Sequence, residues 1–169
     1  SSAGKASFDY TQIRYSGAYL GGSAASLKIN GGTLAFRHGL IDYANGSAIH
    51  MSTASPLEIT NSVFQNNNGH GIYLYVSGTF NPLIQGNTFS SNTGYAIFLS
   101  PSNNLTLDTT QMSANSASGN GTNGMYFIAE LTGDSTLSDV GFPYVFDYFG
   151  SNPASVRVLS GASLEILPG

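Results

Sequence analysis

The feature that most limits what this chain can become is a repeat. Leu57-Glu-Ile-Thr-Asn-Ser-Val-Phe-Gln-Asn-Asn-Asn-Gly-His-Gly-Ile-Tyr-Leu74 lies in register over Pro82-Leu-Ile-Gln-Gly-Asn-Thr-Phe-Ser-Ser-Asn-Thr-Gly-Tyr-Ala-Ile-Phe-Leu99. Ile59 falls on Ile84, Phe64 on Phe89, Asn67 on Asn92, Gly69 on Gly94, Ile72 on Ile97 and Leu74 on Leu99. The same frame extends back through Phe36, Ile41, Gly46, Ile49 and Met51 to Phe8, Ile13, Leu27 and Ile29. Forward, it reaches Leu107, Met112 and Asn115, after which Ser116 to Asn123 reads as an insertion that delays the strand Met125-Tyr-Phe127. A short fixed period points to a solenoid.

Within each unit the apolar residues alternate, and Asn/Gly clusters separate the runs. Alternation marks strands with one buried face, and the clusters mark tight turns. A helix is excluded, because Gly, Asn, Ser and Thr would fill its interior. Each strand must then pair in parallel with its equivalent one coil away, at about 4.8 Å. Four inner ladders follow: Phe36/Ile59/Ile84/Leu107, Ile41/Phe64/Phe89/Met112, Ile49/Ile72/Ile97/Met125 and Met51/Leu74/Leu99/Phe127.

The pattern Ile-x-Asn-x-x-Phe-x-x-Asn-x-Gly-x-Gly-Ile-x-Leu, present as Ile59 to Leu74, resembles the right-handed parallel β-helix repeat of pectate-lyase-like proteins. The resemblance covers about residues 8–127. It implies an all-β solenoid of six to seven coils without substantial helix, in one domain over 1–169. Residues 128–169 are expected to form irregular, aromatic-rich final coils. The tail Val156 to Gly169 resembles the coil with which a new block of such surface proteins begins, so the chain is expected to be a piece of a longer protein. Its opening, Ser1-Ser2-Ala3-Gly4, reads as trimmed. Proteins with this repeat include lyases, hydrolases, adhesins and stalks, so the fold is nearly silent on activity.

Composition narrows the partners. Charged residues make up 8% of the chain against roughly 25% in an average soluble domain. Five Lys+Arg and a net charge of -4 supply no basic patch, so neither nucleic acid nor anionic lipid is an expected partner. No apolar run approaches the ~20 residues that span a bilayer. With no cysteine there is neither a disulfide framework nor thiolate chemistry. No cofactor is expected. A secreted or cell-surface location follows from the resemblance alone.

In the strand Gly-Ile-Tyr-Leu, Ile72 and Leu74 point inward, so Tyr73 points out. Its column is Lys28, His50, Tyr73, Phe98 and Tyr126, a strip of roughly 19 Å. Stacked outward aromatics can carry the apolar face of a sugar or the core of an interface, and in the resembled family this sheet is one wall of a polysaccharide groove. The alternative is that the rings are structural and covered, with Val76–Asn81 and Ser116–Asn123 placed to cover them. These five residues are the candidate carbohydrate contacts, and His50 beside Tyr73 is the one candidate proton-transfer pair.

The acids do not assemble into a catalytic set by spacing. A lyase needs a base beside calcium-holding carboxylates, and a glycosidase needs two carboxyls about 5 to 9.5 Å apart. The nine acids are scattered; Asp9 is expected to pair with Arg37, with Asp108 alone further along the column Asp9, Arg37, Thr60, Gln85, Asp108. His38 aligns with Asn61, where an internal Asn ladder is expected, and so should bond backbone; His70 should be a surface turn residue. No metal-ligand spacing occurs. The run Phe142 to Phe149 is expected to plug the stack, with Pro143 arguing against a central strand there.

Together these observations favour a non-catalytic extracellular module, a rigid structural or adhesive element with carbohydrate along the aromatic column. A polysaccharide lyase or glycoside hydrolase fragment is one alternative. A tailspike-like piece that associates end to end is another.

Overall fold

A computed structural model describes residues 4–17, 24–146 and 156–168 of the chain; Ser1-Ser2-Ala3, and Asp147, Tyr148 and Phe149 of the aromatic run, lie outside them. The described residues form a parallel β-solenoid of about six turns with no helix. Three sheets run along it. The first contains Lys5–Asp9, Thr33–Arg37, Leu57–Thr60, Leu83–Gln85 and Met112–Ser113, in that order. The second contains Gln12–Arg14, Leu40–Asp42, Val63–Gln65, Thr88–Ser90 and Ser116–Ser118. The third runs from Ala25–Ile29 through Ser47–Met51, Ile72–Leu74, Tyr95–Leu107 and Thr122–Leu131 to Tyr144–Val145.

The apolar alternation places one side chain of each strand in a continuous core. Phe36, Ile59 and Ile84 stack on the first sheet, Ile41, Phe64 and Phe89 on the second, and Ile49, Ile72, Ile97 and Met125 on the third. All are fully buried, each contributing about 1.5–3 kcal/mol.

Two ladders end differently from the expectation. Met112 pairs with Ile84, and Leu107 pairs with Phe80 of an added strand, Gly78–Phe80. Ser116–Ser118 is no insertion; it pairs with Thr88–Ser90, so Ala117 continues the Phe89 column. The extra length lies earlier. Asn67 and Asn92 are 25 residues apart and Asn92 and Asn120 are 28 apart; the surplus is absorbed between Leu99 and Met112, in the long strand Tyr95–Leu107 with its shifted register and in the turn that follows it. Asp108 consequently leaves the Asp9 column, where Ser113 stands instead, and caps its own turn by accepting the Thr110 N–H at 2.8 Å.

Two turns per coil are built alike. The residue after each first-sheet strand adopts a left-handed conformation at Tyr10, His38, Asn61, Gly86 and Ala114, and that after each second-sheet strand does so at Tyr15, Tyr43, Asn66, Ser91 and Gly119. A positive φ suits Gly and Asn and is costly for a ring-bearing residue. Next to these turns, two amide columns run inside. In one, Asn87 Nδ2 donates to Asn115 Oδ1 (3.0 Å) and to Ile59 O (2.9 Å). In the other, Asn67, Asn92 and Asn120 repeat the scheme, with Asn92 Nδ2 on Asn120 Oδ1 (2.8 Å) and Phe64 O (3.0 Å). Buried amides that satisfy every neighbour turn a polar turn into a rigid one.

The end of the stack is closed in part by aromatics. Phe142 meets Phe89 edge-on at 5.9 Å, reaching across the small Ala117, and Tyr144 and Phe146 lie edge-on to Phe127. Tyr144–Val145 is an end strand and Pro143 precedes it, consistent with the missing N–H of proline. The tail re-enters as Arg157–Val158 and Leu164–Ile166, the latter pairing with Ser135–Leu137.

Candidate functional site

The outward column of the third sheet forms in the expected register: Lys28, His50, Tyr73, Phe98 and Tyr126 are successive cross-strand partners. The rings stack, His50 on Tyr73 at 4.6 Å and Phe98 on Tyr126 at 4.5 Å and 4°. An open platform they are not. Tyr126 is 1%, Phe98 3% and His50 5% exposed, while Tyr73 is half-buried and Lys28 exposed. His70 and Tyr95 help to cover them: the His70 ring lies 4.5 Å from Phe98, and Tyr95 packs 5.3 Å from Tyr126.

The signal for this burial was present in the chain. Tyr95-Ala-Ile-Phe-Leu99 and Met125-Tyr-Phe-Ile128 are continuous apolar runs, which mark a parallel strand shielded on both faces. The second sheet reads differently. Gln12-Ile-Arg and Thr88-Phe-Ser keep polar residues on the outside.

His70 is therefore not a surface turn residue. Gly94 leaves it room, since a Cβ there would meet His70 Nδ1 at 2.3 Å. Nδ1 accepts the Tyr95 backbone N–H at 3.0 Å, which leaves the proton of the neutral ring on Nε2. Burial pushes the imidazole down to about 4. His38 also departs from expectation. It takes the left-handed turn position, points outward and stacks on Tyr10 at 4.8 Å, with Nδ1 3.0 Å from Asp9 Oδ1. The internal amide column belongs to the next residue of the turn, Ser62/Asn87/Asn115. Arg37 faces Asp9 in register but forks onto both carboxylate oxygens of Glu58, and that contact holds its guanidinium above its ordinary pKa.

The outer face of the second sheet carries an open cleft of about 470 Å³ over its first three coils. Tyr10 and His38 wall it, Leu40 and Val63 form an apolar floor, and Gln12, Asn61 and Gln65 bring amides to it. Across the same strands stands a second ring stack, Tyr15 on Tyr43 at 5.1 Å and 6°. Neither stack was singled out from the sequence, although the alignment of His38 with Asn61 already placed a ring at a turn.

Residues 2–137 match the family model described as "right handed beta helix region". The chain belongs to the right-handed β-helix family. No curated protein and no solved structure matches it.

In this β-helix seven of the described carboxylates are occupied one at a time. Glu58 holds Arg37, Glu130 holds Arg157 and Asp9 meets His38. Asp42 accepts from Asn66 and Asp134 from Ser163, while Asp108 and Asp139 cap their own turns. Among the described residues no group of three or more His, Cys, Asp or Glu could hold a metal ion. The pair His50–Tyr73 stacks face to face, an arrangement that suits packing better than transfer of a proton along a ring edge.

Proposed function

We propose that this β-helix is a non-catalytic, rigid extracellular element that retains polysaccharide without cutting it, as a spacer or adhesive module. The observation that supports this best is the dispersal of the acids. Each described carboxylate named above serves an ion pair, a side-chain hydrogen bond between coils or a turn, and general acid/base cleavage of a glycosidic bond requires two converging on one linkage. The internal amide columns suit a rod that must hold its shape along its length. Glycan contact on the third sheet is confined to the accessible rungs of the aromatic column, Lys28 and Tyr73.

The test is incubation of the chain with plant, algal and bacterial polysaccharides, followed by measurement of both retention and products. Retention without new reducing ends or unsaturated products is the expected result. Product formation would replace this reading with a lyase or hydrolase. Neither retention nor product would leave only the spacer half of it.

A further inference from the structure

We propose that the cleft on the outer face of the second sheet is a binding site for a neutral oligosaccharide, with Tyr10 and Tyr15 as the leading ring platforms; this rests on the adhesive reading above. Three independent features meet there.

The first is exposure. Tyr10 is 77%, Tyr15 76% and Tyr43 48% exposed, whereas the outward rings of the third sheet are largely covered. Each exposed ring is held by a neighbour at van der Waals stacking distance, Tyr10 by His38 and Tyr15 by Tyr43. An aromatic face presented to solvent and already immobilised loses little entropy on meeting a ligand.

The second is backbone strain. Tyr10, Tyr15, His38 and Tyr43 have φ between 48° and 54°. In later coils the same turn positions are taken by Asn61, Gly86 and Ala114, and by Asn66, Ser91 and Gly119, none of which carries a ring. The fold does not need rings at these turns. Rings held in this conformation in the early coils alone, at both borders of one face, point to a use for that face.

The third is chemistry. Between the ring stacks, an apolar strip of Leu40 and Val63 is flanked by the amides of Gln12, Asn61 and Gln65. Sugars alternate C–H faces with hydroxyls, and this surface alternates rings and methyls with amides in the same way. None of the residues lining the cleft is Asp, Glu, Lys or Arg, and toward Tyr15 the outer face adds the exposed Arg14 and the buried Asp42, whose formal charges cancel, so a neutral sugar suits this surface. About five residues separate the two ridges, a span of at most ~18 Å, and a few sugar units would bridge it.

The experiment is calorimetric titration of the full chain with cellohexaose, mannohexaose and chitohexaose. Wild type is compared with Tyr10→Asn/Tyr15→Asn and with Tyr75→Ala, which removes an exposed ring outside the cleft. Asparagine is the natural occupant of these turns two coils on, so the first variant keeps the fold, and thermal unfolding verifies it. The expected result is saturable binding of at least one hexasaccharide, weakened roughly tenfold or more by the turn variant and unchanged by the other. Binding that survives Tyr10→Asn/Tyr15→Asn overturns the cleft while leaving the adhesive function standing. If wild type binds none of the three sugars the cleft proposal fails, and the polysaccharide retention assay decides the function separately.

Discussion

The imidazole Nδ1 of His70 accepts the backbone N–H of Tyr95, one coil on, at 3.0 Å. The bond works only with a neutral ring, and burial holds this histidine's pKa at about 4. Between pH 6.5 and 4 the unfolded chain therefore binds a proton that the folded one refuses. Stability from this group is complete above pH 6.5 and is lost as the pH falls through that window, by at most ~3 kcal/mol. Chemical denaturation at pH 7, 5.5 and 4 should show the loss, and a smaller one in His70→Gln, which keeps an acceptor but does not titrate.

Tyr144 gives the opposite dependence. Burial, aided by the charge of Asp139, raises its phenol to about 12 against the opposing bonds to Thr109 and Ser138. The unfolded chain ionises this group near pH 10, so stability is retained below 10 and falls between 10 and 12, by about 2–3 kcal/mol. Tyr144→Phe should flatten that part of the profile. In ultraviolet titration of the ten tyrosines, the variant should lack one late-ionising group.

Asn92 is the centre of an amide column, bonded to Asn67, Asn120 and Phe64 O. Asn92→Ala strands several buried partners and should cost ~3–4 kcal/mol in urea unfolding. Asn68→Ala, on the exposed side of the equivalent turn one coil earlier, should stay within about 0.5 kcal/mol. Equal costs would mean that the inner column is not what stiffens the turn.

Lys5–Asp9, Gln12–Arg14 and Ala25–Ile29 each end their sheet among the described strands. Phe8, Ile13, Leu27 and Ile29 are only half-buried beneath them. Unpaired strand edges over a partly covered core favour addition of another strand. The 169-residue chain should therefore associate with rising concentration in sedimentation velocity, and Ser7→Pro with Leu27→Lys should reduce it. A strictly monomeric wild type at high concentration would contradict end-to-end association.

Much of this protein was legible from its residues. Period and alternation were enough for a parallel β-helix, for the core columns from Phe36 to Ile84 and from Ile41 to Phe89 and those from Ile49 and Met51, and for the outward register of Lys28 through Tyr126. These are consequences of local geometry repeated, because a side chain's face depends only on its parity within a strand. The family resemblance added the hand of the coil, and the family match supports it.

Tertiary structure decided the rest. Whether Phe98 and Tyr126 meet solvent depends on what packs over the third sheet, including the rings of His70 and Tyr95, and no parity rule contains that. The partner of Arg37 was chosen by reach, since Glu58 on the next coil offers both oxygens to its fork while Asp9 turns to His38. The three surplus residues between Asn92 and Asn120, relative to the coil before, could be placed only once hydrogen bonding had shown where the chain absorbed them. Side-chain direction is set by the chain's own covalent geometry, but exposure and pairing are set by neighbours far away in sequence.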